Sequence, residues 1–409
     1  MAASELTSPA EGALGVRRVS LFAVAVGIVV LPLFATQPLI GVIGPDLGLS
    51  PSLSALTATV TLLGYAAGLF LLVPLTDLLE NRRLILVVLW GDVLALVTLA
   101  LAPYPGLFLL GAFLVGLVTS AIQMLVPIAA ALSAEAIRGR TVGTVMSGLM
   151  LGILFSRPLA SLVAEIWGWR SLYSLLAAAV AALTVTLAAF LPPLRPRGHG
   201  SYAGLIASLG SILREEPVLR RRAASQALCM GAFGVFWTSV ALRLGQPPLS
   251  LGQVGIAVFA LAGAAGAVIA PIAGRVGDRG LTRPGTRLAH AAVILAMALA
   301  GLGGGSLHDR GSALACLGGA AVLLDLGVIA DQTLGRRAIN LLRPEARGRL
   351  NGLFTGLFFL GSAAGSALSG FAWTAGGWGG VCAVGAAFGL GALAVALTDS
   401  RSRPEGAAA

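Results

Sequence analysis

The sequence predicts an all-α membrane protein of twelve transmembrane helices, arranged as two pseudo-symmetric six-helix bundles. Three observations carry this. The 409 residues are 57% hydrophobic and only 11% charged, with mean hydropathy +0.92, whereas soluble domains carry about 25% charge. Apolar runs of roughly 20 residues recur along the chain, each able to cross about 30 Å of hydrocarbon. Finally, residues 138–170 and 347–379 align without a gap at an offset of 209. Shared apolar letters mean little in such a chain, so the match rests on rare punctuation. Arg138-Gly139-Arg140 falls on Arg347-Gly348-Arg349, Gly152 on Gly361, and Gly168-Trp169 on Gly377-Trp378. The same offset places Gln123 on Gln332 and brings Glu135 close to Glu345. A unit repeated half a chain later is the signature of two similar halves.

The spans follow in order. The first is expected near 19–43 after Arg17-Arg18, and the second near 52–75. After the charged turn at 76–83, spans three to six fall near 84–102, 107–132, 142–165 and 169–192. The apolar signal lapses at 193–222, where Leu205, Ile206, Leu209, Ile212 and Leu213 recur at helical spacing. That spacing predicts an amphipathic helix lying at the membrane surface. Six further spans are expected near 223–244, 251–272, 287–304, 312–336, 350–372 and 378–397. The domains are therefore an N-terminal bundle over 1–192, a linker over 193–222 and a C-terminal bundle over 223–409.

Charge fixes an expected topology. All 27 basic residues are Arg. With the N-terminus in the cytoplasm, 23 arginines fall on cytoplasmic segments, and three (Arg170, Arg243 and Arg310) on outer turns. The positive-inside rule then places both termini inside. It also accounts for the net charge of +10 without nucleic acid. The polar N-terminus is followed by no small-residue cleavage site, so no removable signal peptide is expected. Cys229, Cys316 and Cys382 lie in apolar spans at unrelated spacings and read as small buried hydrophobes. His199, His290 and His308 are expected at or near surfaces, with no metal spacing linking them. The Gly-rich runs suit close helix contacts rather than phosphate loops. No P-loop, nucleophile elbow or paired-carboxylate pattern is present, and neither an enzyme nor a cofactor is expected.

Charged side chains inside a span cost roughly 2.5–3.5 kcal/mol on insertion scales and default to functional hypotheses. Four stand out: Asp92 in span three, Arg157 in span five, and Asp325 and Asp331 in span ten. At 100° per residue, Asp325, Gln332 and Arg336 fall within about 20° of one another, while Asp331 points about 120° away. Asp325 could carry chemistry or fasten helices, and Arg157 could serve a cavity or simply pack. A direct pair between the two is an open expectation. Asp92 reads as structural. Trp237 could stack on a substrate or anchor at an interface, and Gln37 beside Pro38 suits a site or ordinary packing.

Twelve spans, a six-plus-six duplication and a basic central loop resemble the major facilitator superfamily. The turn at 73–83, VPLTDLLENRR, keeps Asp77, Arg82 and Arg83 of that family's G-x-x-x-D-R-x-G-R-R signature. GRVGDRG at 274–280 keeps Gly274, Asp278 and Arg279. Gln37-Pro38-Leu39, Gly152 with Ser156-Arg157, the Gly-Trp-Arg turn at 168–170 and the run Leu324–Arg349 resemble its bacterial efflux-permease branch, the arabinose-efflux or drug/proton antiporter type. The chain departs from proton-coupled drug exporters at Ala112, where they carry Arg, and at Arg157-Pro158, where they carry Gly-Pro.

The resemblance implies a gate in which the acidic residue of each turn meets a helix of the other half. It also implies a central cavity lined by spans one, four, seven and ten. Gln37, Gln123, Trp237, Asp325, Gln332 and Arg336 would face that cavity, with Arg157 beside it. A cavity of few aromatics, two Gln, one or two Asp and an Arg suits polar, drug-like or sugar-like solutes. The implied activity is export of a small organic solute by alternating access, coupled to protons through Asp325, by a monomer in the bacterial inner membrane. The alternatives are an uncoupled facilitator or importer, or a ligand sensor that does not transport.

Overall fold

In a computed structural model, the described residues are 16–195, 201–343 and 346–398. His199 and Glu345 lie outside them, as do the N-terminal 15 residues and the C-terminal arginines. Among the described residues, eleven helices are long and apolar enough to cross a membrane. The last of these, Arg347–Thr398, is two helices merged across non-helical backbone at Gly376 and Gly377. Twelve spans result, as the sequence predicts.

The halves show the duplication in three dimensions. Gly168, which separates spans five and six, has φ +82°, and its equivalent Gly377 has φ +56°. Side chains resist that left-handed region, which is why both turns keep glycine. The tryptophans that follow each lock their turn: Trp169 donates from Nε1 to Asp46 Oδ2 at 3.0 Å, and Trp378 donates to the Ala300 carbonyl at 2.7 Å. Gly152 and Gly361 sit at matching close approaches. A Cβ on Gly152 would lie 2.3 Å from the Gly27 carbonyl of span one, and one on Gly361 would lie 2.0 Å from the Ala227 carbonyl of span seven. Spans one and five thus pack backbone to backbone, as do spans seven and eleven.

The central segment forms a helix at Tyr202–Glu215 whose Leu209 and Ile212 are buried. The protein itself takes up part of that apolar face. Tyr202 Oη donates to the Leu71 carbonyl of span two, and Arg349 of span eleven donates to Ser208 Oγ. The helix therefore bridges both halves. Span seven starts at Pro217, where a proline costs no helical hydrogen bond.

Because six spans separate each bundle's ends, the linker and the described ends of spans one and twelve share one face, here called the linker face. Spans two and eleven meet along their length, from Ser52 against Gly370 at the far face to Phe70 against Gly356 near the linker face. Span eight is different. Its far-face segment Gln253–Ala260 packs on span five, while its linker-face segment Gly266–Asp278 packs on span ten. Both seams between the halves are closed at the far face.

Candidate functional site

Three spans are interrupted at mid-depth. Span one changes to a 3-10 turn at Gln37–Leu39, span four turns at Ser120-Ala121, and span eight has a 3-10 segment at Leu261–Ala265. Irregular backbone at this depth is tolerated where protein or a cavity covers it. Two of these breaks flank the central cluster. Pro38 and Gln37 meet Arg157 from span five, and Gly263 of span eight backs Asp325, with room for a Cβ only 3.0 Å from Oδ2.

Arg157 is the centre of the cluster. Its Nε donates to Gln37 Oε1 at 2.9 Å. Its guanidinium carbon lies 4.3 Å from the ring centroid of Trp237, 5.0 Å from that of Phe34 and 5.3 Å from that of Phe233. Trp237 in turn donates from Nε1 to Asp325 Oδ1 at 3.0 Å. All four polar residues are buried, none more than 6% exposed. The pairing left open by the sequence takes the form of a relay, with the Trp237 ring joining Arg157 to Asp325. Two donors remain without a partner, Arg157 Nη2 and Gln37 Nε2. Pro38, Arg157, Trp237 and Phe259 line a small pocket here, with room for about one water molecule.

A second layer lies toward the linker face. Gln123 donates from Nε2 to Tyr65 Oη at 3.3 Å. Gln332 and Arg336 are half-buried. Their distances of 7 and 11 residues from Asp325 put them roughly 10 and 16 Å down the same stripe.

Several sequence expectations are corrected. The cavity is rich in aromatics, since Phe34, Phe233, Trp237, Phe259 and Tyr65 all contribute. Two of these carried a signal: Phe34 lies three residues before Gln37 and Phe233 four before Trp237, so each pair shares a helix face. Trp237 is 2% exposed at the centre, not an interfacial anchor. His290 is fully buried rather than near a surface. In the gate turns, Asp278 pairs with Arg337 of its own half at 2.9 Å, not with the other half. Asp77 is exposed, Arg82 donates to the Ala188 carbonyl within the first half, and Arg83 pairs with Glu80. Gly274 has open space around it and Arg279 is exposed. Asp92 is buried within the first half, and neither of its oxygens has a partner.

Two helical bundles enclosing a charged cluster beside helix breaks define a membrane transporter. The chain belongs to the major facilitator superfamily, whose family model matches residues 22–334. It is 36% identical over 370 residues to the uncharacterized transporter YgaY of Escherichia coli O157:H7, covering 90% of this chain and 92% of that protein. It is 34% identical over 384 residues to a probable transporter of Streptomyces coelicolor, covering 93% of this chain and 87% of that protein. A crystal structure of the nucleoside transporter NupG superposes with a TM-score of 0.72 over 93% of this chain and 98% of that one, at 13% identity. The last comparison speaks to fold alone.

Proposed function

We propose that this protein exports a small organic solute across the bacterial inner membrane by alternating access of its two halves, in exchange for protons. The observation that carries the reading is the Arg157–Trp237–Asp325 relay. It spans the boundary between the halves, with Arg157 and Gln37 from the first and Trp237 and Asp325 from the second. A solute that engages Arg157 therefore acts on both bundles at once. The unpartnered Nη2 of Arg157 and Nε2 of Gln37 are neighbouring donors, because Nε of the same guanidinium already holds the Gln37 oxygen. Buried donors without acceptors are costly. This favours a solute that offers carboxylate or carbonyl oxygens to them and an apolar or aromatic part to the ring faces.

Asp325 is the proton carrier in this reading. Its carboxylate balances the charge of Arg157 through Trp237. A proton on Asp325 removes that balance and loosens the hold on the indole N–H, freeing Arg157 to take an anionic group. The arginines support an orientation: among the described residues 20 fall toward the linker face, against three (Arg170, Arg243 and Arg310) toward the far face. The linker face is accordingly cytoplasmic, and one chain is the transporting unit.

Everted membrane vesicles, acidified inside and challenged with carboxylate-bearing, sugar and cationic drug panels, test this. The expected result is a carboxylate-bearing compound that releases protons with the wild type and not with Asp325→Asn. Solute flux that proceeds equally in Asp325→Asn and without a proton gradient would make the protein a facilitator. Binding without flux would make it a sensor.

A further inference from the structure

A second buried cluster lies apart from the central site. Cys229 of span seven, His290 of span nine and Asp331 of span ten bring a thiol sulfur, an imidazole nitrogen and a carboxylate oxygen within 4.8 Å of one another. All three residues are buried, at most 1% exposed. Ser225, one turn before Cys229, places its Oγ 3.0 Å from His290 Nε2 and 3.2 Å from Asp331 Oδ2. Asp331 is six residues past Asp325, roughly 9 Å along the helix, and turned away from the central stripe. No linear spacing connects these residues, which is why the sequence gives no hint of the group.

From this cluster we infer a structural metal site for a divalent transition cation of the zinc class. Cys229, His290 and Asp331 are its ligands, and Ser225 Oγ or a solvent oxygen is the fourth. The donor set is the N, S and O mixture that zinc accepts. Zinc–ligand bonds of about 2.0–2.3 Å put tetrahedral donors roughly 3.3–3.8 Å apart, so the side chains need close in by only about 1 Å. Charge balance favours the ion. A thiolate and a carboxylate cancel its two positive charges, and the imidazole stays neutral, leaving no net charge in an interior where isolated charges are expensive. The thiol proton leaves on binding. His290 presents Nε2 to the cluster, 3.3 Å from Asp331 Oδ1, so this is the nitrogen that takes the ion in place of its present contacts. The ion staples spans seven, nine and ten, beside the hydrogen bonds from Arg222 to Thr286 and from Gln226 to the Val328 carbonyl that already link them.

The test reads metal directly and is independent of transport. Full-length protein is expressed with zinc supplementation, purified in detergent with a non-chelating reductant, and its zinc content measured by mass spectrometry. Apo protein is titrated with Co2+ as a spectroscopic probe. One zinc per chain is expected. Cobalt should give a thiolate-to-metal charge-transfer band, with affinity lower by about 100-fold or more in Cys229→Ala and Asp331→Asn, beyond the loss outer-shell partners cause. Cys316→Ala, outside the cluster, should keep both. Wild-type protein that carries no stoichiometric zinc, or whose cobalt spectrum lacks the thiolate band, would overturn the site even if every variant misfolded.

Discussion

Arg157 and Asp325, carried by different halves of the molecule, meet through one ring: the Trp237 indole offers its face to the guanidinium and its N–H to the carboxylate. The arrangement couples a charge, a stacking surface and a hydrogen bond. It also explains how an arginine can sit in the middle of a membrane protein. Three aromatic faces and an amide oxygen replace its hydration, and the carboxylate beyond the ring supplies the counter-charge.

Arg157→Lys isolates the role of that geometry. Lysine keeps the charge but loses the planar surface and the fixed fork of donors. If the stack positions the charge, transport efficiency should fall by about 10-fold or more, the equivalent of roughly 1.4 kcal/mol, while the protein still purifies folded. Uptake at the wild-type rate by Arg157→Lys would mean that only the charge matters.

The sequence already showed the parts of this site that are local. Gln37 beside a proline, the charge of Arg157 and the stripe from Asp325 to Arg336 all follow from composition and helical period. So did the duplication, because Gly152 and Gly361 or Gly168 and Gly377 are needed at the same structural place in each half. What escaped is non-local. Nothing in the spacing says that Trp237 stands between Arg157 and Asp325, that Asp278 turns to Arg337 in its own bundle, or that His290 faces Cys229. Such pairings are decided by how helices rotate about their axes when packed. Small-residue close approaches set that rotation, and apolar periodicity in lipid leaves it nearly free.

The close approach at Gly152 gives a stability prediction with an internal control. An alanine there places its Cβ 2.3 Å from the Gly27 carbonyl, which only a shift of span one or five can relieve. On the same helix, a Cβ at Gly143 would meet nothing within 4 Å. Gly152→Ala should cost about 1–3 kcal/mol, typical of overpacking. Gly143→Ala should be neutral or slightly stabilising, since glycine in a helix costs about 0.5–1 kcal/mol relative to alanine. Thermal unfolding of both variants in detergent checks this, and equal melting temperatures would refute the backbone-contact account.

A pH effect is expected at the start of span ten. Asp309 caps this helix, accepting the Ser312 N–H at 2.8 Å. The Ser312 backbone and hydroxyl hold its carboxyl below the ordinary range. A depressed carboxyl contributes stability that is fully present above the unfolded value near pH 3.9 and lost as pH falls through the folded value. Asn caps comparably but does not titrate. The difference in melting temperature between wild type and Asp309→Asn should therefore be constant from about pH 5 upward, and should move against the wild type below about pH 4. A difference that stays flat through the acid range would show that the cap is not titrating.

The closed far face makes the conformational cycle testable. Gly41 of span one lies against Leu242 of span seven, with a Cβ position 3.2 Å from the leucine methyl. This contact crosses the boundary between the halves. If solute leaves through the far face, the contact must open once per cycle. Gly41→Cys with Leu242→Cys, in a chain whose Cys316 and Cys382 are replaced and whose fully buried Cys229 is kept, should react with a short thiol-to-thiol cross-linker and lose transport. Each single variant treated alike should keep it. A cleavable cross-linker separates locking from damage, because reduction should restore flux in the double variant. Undiminished transport with the cross-link formed would mean that spans one and seven never part, and the alternating-access reading would fail at its outer gate.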